Sequence, residues 1–86
     1  MHLTILSPER EIFTGAVKSV KVPGTNGAFE MLENHAPIVA ALARGEVRII
    51  QANGERTTFQ ITGGFVEMLQ NEVALLVSGT ETSSEK

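Results

Sequence analysis

The sequence predicts an all-β sandwich, and three observations predict it. Residues 57–62 alternate strictly, with Thr57, Phe59 and Ile61 on one face and Thr58, Gln60 and Thr62 on the other. That is the period of a strand with one side in a core and one side in water. Short apolar runs recur along the chain, punctuated by Pro, Gly and Asn where turns would fall. No stretch carries the longer apolar periodicity of an amphipathic helix. About ten short strands in two sheets are therefore expected.

The elements follow in order. Residues 2–6 alternate apolar and polar and stop at Ser7-Pro8, because proline cannot donate to a ladder. Residues 11–14 read as a second strand closed by Gly15. Residues 17–22 read as a third, with Val20 and Val22 on one face, ended by Pro23-Gly24. Gly24-Thr25-Asn26-Gly27 is a turn, since Gly and Asn tolerate positive φ. Residues 28–32 give a further strand before the polar segment Glu33-Asn34-His35. Pro37 then fixes its own φ and drives Ala36 toward extended backbone, reversing the chain.

Residues 38–42 are apolar and fit either a strand or a short helix. Gly45 closes the segment too soon for a stable helix. Residues 46–52 and 56–62 pair as a hairpin around Asn53-Gly54, the strongest short hairpin signal present. Gly63-Gly64 breaks the ladder, and residues 65–69 and 73–77 form a second hairpin around Gln70-Asn71-Glu72. Phe13, Phe29, Phe59 and Phe65 are expected in the core or half-buried. The domain is expected to span residues 1–79, with 80–86 a polar, disordered tail.

Composition narrows the function classes. The 86 residues suffice for one domain, which at this size buries roughly 60% of the surface of its unfolded chain. The net charge is −3 and the seven basic residues are scattered. That argues against nucleic acid, whose phosphates need clustered Lys and Arg. No cysteine is present, which excludes disulfides and thiolate metal sites. No apolar run approaches the ~20 residues of a membrane span, and no signal peptide is visible. Membrane association is expected only through a partner.

The chemistry-bearing residues are few. With no Asp, Cys, Tyr or Trp in the chain, most catalytic sets cannot be assembled. No serine sits in a G-x-S-x-G turn beside His2 or His35. Glu30, Glu33 and His35 could suggest a metal site, but their spacing on a strand and irregular loop is not regular, and a polar surface loop explains them better. Gly24-x-x-Gly27 and Gly63-Gly64 lack the following helix that a phosphate loop needs. No catalytic residue, metal or cofactor is expected. His35 is either a hydrogen-bonding loop residue or a partner contact.

Several ordered motifs resemble a known family. Val22-Pro23-Gly24-x-x-Gly27, then Leu32-x-x-His35-Ala36-Pro37-Ile38-Val39, is similar to the signature of the epsilon subunits of bacterial F-type ATP synthases. The likeness continues through Ala41-Leu42, Gly45 and Val47-Arg48-Ile49. It resumes at Gly63-Gly64-Phe65-Val66-Glu67, then Asn71, Val73 and Val77. The opening from Leu3 to Phe13-x-Gly15 also fits, so the resemblance reaches Gly79.

The resemblance implies a ten-stranded β-sandwich and a non-catalytic rotor subunit of the central stalk. It would sit beside the gamma subunit and on the polar loops of the c-ring, at the cytoplasmic face of the bacterial inner membrane. There it would help join proton- or sodium-driven rotation to ATP synthesis. The turn and loop carrying Asn26, Ala28, Glu30, His35 and Pro37 are the implied contact residues for gamma or the c-ring.

Two departures stand out. Leu32-Glu33-Asn34-His35 replaces the family's Leu-Pro-Gly-His; Asn34 can still adopt the left-handed geometry that Gly allows, but the loop loses the proline that would fix it. Ala28 stands where an acidic residue is common, and Glu30 lies on the same strand face two residues on. No counterpart of the family's C-terminal helical hairpin is expected in residues 80–86, and with it neither ATP binding nor inhibition by that route. The alternatives are an unrelated small-ligand-binding or adaptor β-sandwich, and a metal enzyme built on Glu30, Glu33 and His35.

Overall fold

In a computed structural model, residues 1–81 are described. They form nine strands and no helix: β1 (His2–Leu6), β2 (Glu11–Gly24), β3 (Gly27–Leu32), β4 (Ile38–Leu42), β5 (Gly45–Gln51), β6 (Arg56–Ile61), β7 (Gly64–Leu69), β8 (Glu72–Val77) and β9 (Thr80–Glu81). All pairings are antiparallel except β1 with β8. Hydrogen bonding runs in the order β1-β8-β7-β4-β2-β5-β6-β9, with β3 on the other side of β2. The expected sandwich is therefore present, its two layers joined through β2.

The long strand β2 is what makes the join. Its first part pairs with β1, with Leu3 opposite Gly15. Its second part pairs with β5 and β3, with Val20 opposite both Ile49 and Met31. Between Val17, opposite Gln51, and Ser19, opposite Ile50, Lys18 is an extra residue. This β-bulge bends the strand from one layer into the other. It also resets the alternation, so that Val17, Val20 and Val22 are all buried.

The core draws on both layers. Leu3 and Ile5 of β1, Val73, Leu75 and Val77 of β8, and Val66 and Met68 of β7 meet Met31, Val47, Ile49 and Ile61 in one cluster. Each such side chain, fully buried, stabilises the fold by about 1.5–3 kcal/mol relative to exposure. Phe13, Phe29 and Phe59 pack half-buried against this cluster.

Three expectations are corrected and one alternative is decided. Gly15 does not end a strand, because it pairs in register with Leu3 inside a continuous β2 of 14 residues. Of the two alternatives open for residues 38–42 the structure takes the strand, since β4 pairs with β7 residue for residue from Ile38 opposite Met68 to Leu42 opposite Gly64. Phe65 is 59% exposed and not a core residue, because Val66 and Met68 take the inward positions of β7. Thr80 and Glu81 pair with Ile61 and Gln60, so the hydrogen-bonded domain extends two residues past Gly79. The remainder of the expected tail lies outside the described residues.

Candidate protein-interaction site

The turn between β2 and β3 is a two-residue hairpin closed by Gly24 opposite Gly27. Gly24 is required by space: a Cβ there would lie 2.7 Å from the Gly27 carbonyl oxygen and 2.9 Å from the Phe29 ring. The Thr25 N–H donates to the Ala41 carbonyl at 3.0 Å, and the Ala43 N–H to the Pro23 carbonyl at 2.7 Å, tying the turn to β4. Between turn and strand lies an open groove of about 610 Å³. Asn26 and Ala28 line it on one side and Ile38–Ala41 on the other, and no lining residue is charged.

Glu30 lies farther along β3, on the same face as Ala28. It stands opposite Lys21, which stands opposite Arg48. The Arg48 guanidinium reaches across β2 and donates from Nη2 to Glu30 Oε2 at 3.2 Å. Both partners are partly exposed, which holds such a pair to about 1 kcal/mol or less. Glu30 is thus already paired within the chain.

Residues 33–37 form the loop that carries His35 and Pro37, both exposed. Asn34 has φ 66, the left-handed conformation expected of the residue standing in for Gly. Its N–H donates to Asn71 Oδ1 at 2.6 Å, and Asn71 Nδ2 donates to Asn34 Oδ1 at 2.8 Å. The His35 N–H donates to the Leu32 carbonyl at 3.1 Å. The His35 ring donates from Nδ1 to the Ala36 carbonyl at 2.7 Å. Glu33 accepts from the α-amino group of Met1 at 3.3 Å. Glu30, Glu33 and His35 therefore turn to three different partners and do not converge. No group of three or more residues able to hold a metal occurs among the described residues.

A further feature is an exposed sheet face whose residues the sequence reading did not name. The outer face of the layer formed by β1, β8, β7 and β4 carries an apolar band. Leu6 stands beside Leu76, Leu76 opposite Phe65, and Phe65 opposite Ala41. Val39, 74% exposed, flanks this row on β4 opposite Glu67, and Leu69, 54% exposed, lies farther along β7 opposite Glu72, so carboxylates border the apolar row. The outer face of the other layer is different, with the row Glu30, Lys21, Arg48 and Thr58 across β3, β2, β5 and β6. The signal for the band was present in residues 65–69, where apolar residues occupy both alternating sets and one set must face outward.

An exposed apolar row of this kind is a feature of surfaces that meet a partner. Comparison with known proteins shows the family. The family described as "ATP synthase, Delta/Epsilon chain, beta-sandwich domain" matches residues 1–83, and the chain belongs to that family.

Among its relatives, the ATP synthase epsilon chain of Chlorobaculum tepidum is 45% identical over 74 residues, covering 86% of this chain and 84% of that protein. The epsilon chain of Hyphomonas neptunium is 35% identical over 85 residues, 99% of this chain but 63% of that one. The fold matches a chain of the Euglena gracilis mitochondrial ATP synthase OSCP/F1/c-ring structure with a TM-score of 0.83 at 20% identity, over 92% of this chain and 51% of that one. It matches a chain of the Tetrahymena thermophila mitochondrial ATP synthase central stalk and c-ring with a TM-score of 0.77 at 18% identity, over 94% and 65%. The chain thus spans about half to two thirds of the solved chains it resembles.

Proposed function

We propose that this chain is a non-catalytic rotor subunit of an F-type ATP synthase. In this reading the apolar face of β1, β8, β7 and β4 seats against the gamma subunit. The turn and loop at Asn26, Ala28, Glu30, His35 and Pro37 meet the polar loops of the c-ring. The protein joins ring to shaft, so that ion-driven rotation reaches the catalytic head. It is held at the cytoplasmic face of the bacterial membrane by its partners, and no helix among the described residues is long and apolar enough to cross a membrane.

The observation that carries this reading is the row of exposed Leu6, Leu76 and Phe65, bordered by half-buried Ala41, in a member of this family. An exposed apolar row loses stabilisation in water and regains it when a partner covers it. The solved chains of the same fold come from structures described as F1/c-ring and central stalk/c-ring, which supports the choice of partners. In this reading the domain takes no part in ATP binding or in inhibition by a helical hairpin; no helix occurs among the described residues.

Co-purification tests the reading. The chain, mixed with gamma and the c-ring of its source organism, is expected to elute with them as one complex. Elution of the chain alone would overturn the proposal. A calorimetric titration of the chain with ATP is expected to give no binding heat, and saturable heat would overturn that part of it.

A further inference from the structure

Asn34 and Asn71 lie 37 positions apart, and both hold left-handed backbone, with φ 66 and φ 63. Gln70, with φ 51, precedes Asn71. The two together make the primed turn that a two-residue hairpin needs, here without glycine. Every polar group of the Asn71 side chain is directed to Asn34: Oδ1 accepts from the Asn34 N–H and Nδ2 donates to Asn34 Oδ1. The Asn71 carbonyl accepts from the His2 N–H of β1 at 2.9 Å. One residue thus ties together the β7–β8 turn, the start of β1 and the loop 33–37. The same hairpin presents Phe65, Leu69 and Leu76 on its outer face.

We propose that Asn71 is a positioning residue, which through Asn34 holds the loop 33–37 in one conformation relative to the apolar face. The two contact regions then meet the rotor as a single rigid surface. A loop already ordered before binding loses less conformational entropy on binding. This inference rests on the reading that both regions contact rotor subunits.

Three variants of the full chain separate the amide clasp from the turn it sits in. Asn71→Gly keeps the left-handed turn and deletes both side-chain bonds. Asn71→Asp keeps an acceptor for the Asn34 N–H, and its second oxygen accepts from the Asn34 amide once that amide turns over. Asn34→Gly keeps the left-handed backbone and its N–H, and loses one bond. Hydrogen exchange of residues 34–36 is expected to quicken about tenfold in Asn71→Gly, less in Asn34→Gly, and little in Asn71→Asp. The amides of β5 and β6 stay protected throughout.

Affinity for the gamma–c-ring assembly is expected to fall in the same order. Unchanged loop exchange in Asn71→Gly would overturn the proposal. So would a loosened loop with undiminished affinity, or an Asn71→Asp variant as weak as Asn71→Gly. Failure of the unsubstituted chain to bind the assembly would overturn the functional reading, and this proposal with it, before any variant is compared.

Discussion

Single residues in this domain are constrained by what lies next to them in space. Gly64 has φ 152, and a Cβ there would run into the Leu76 carbonyl. The nearest atoms are all backbone of Leu76 and Val77, which leaves no flexible neighbour to give way. Gly64→Ala is therefore expected to lower stability by about 2–3 kcal/mol, read as a lower urea midpoint at unchanged slope. Glu30 poses the opposite case, because its pair with Arg48 is partly exposed. Glu30→Lys puts a third cation beside Lys21 and Arg48. It is expected to cost about 1 kcal/mol or less in stability, yet to weaken rotor assembly most at low salt. Gel filtration with gamma and the c-ring at two ionic strengths checks this, and unchanged assembly would remove Glu30 from the interface.

At the scale of elements, the bulge in β2 makes an unusual deletion tolerable. Lys18 is the extra residue between Val17 and Ser19. Without it the strand alternates regularly, and Val17, Val20 and Val22 still face inward. Deleting Lys18 is expected to leave a cooperatively folding chain of somewhat lower stability, with less bend where β2 changes layers. Deleting Ala74 from the regular strand β8 is expected to abolish cooperative unfolding, because a one-residue slip turns half of the strand's inward side chains to water. Circular dichroism melts of the two deletions should separate cleanly, and equal behaviour would contradict the assigned bulge.

The whole molecule divides its apolar residues between a core and an outer band. Leu75, fully buried, and Leu76, 49% exposed, are neighbours in sequence on opposite faces of β8. Leu75→Ala should cost about 2–5 kcal/mol through the cavity it leaves, a large share of the stability of so small a domain. Phe65→Glu, in the centre of the band, should shift stability by about 0.5 kcal/mol or less while abolishing co-elution with gamma. Retained co-elution at normal affinity would move the gamma contact off this face.

The hairpins of β5 with β6 and of β7 with β8 were legible because their signals are local. Asn53-Gly54 marks one turn, and strict alternation in residues 57–62 fixes which side faces in. The turn carrying Asn26 and leading to Ala28, and the left-handed geometry of Asn34, were legible for the same reason: Gly and Asn admit positive φ and Pro fixes its own, wherever they stand.

What could not be read has a common cause in distance along the chain. Gly15 looked like a stop, and only its pairing with Leu3 makes it part of a strand. The phase of residues 65–69 is ambiguous until β4 and β8 flank β7 and select which residues face the core. The pairs Glu30 with Arg48 and Asn34 with Asn71 join segments 18 and 37 residues apart.

The sequence by itself determined an all-β domain, its turns and its family resemblance, since these follow from short-range φ preference and period-two patterning. Only the tertiary structure decided that β2 serves both layers and that Phe65 and Leu76 face outward. A strand's two faces are chemically similar here, and the partner strands alone choose between them.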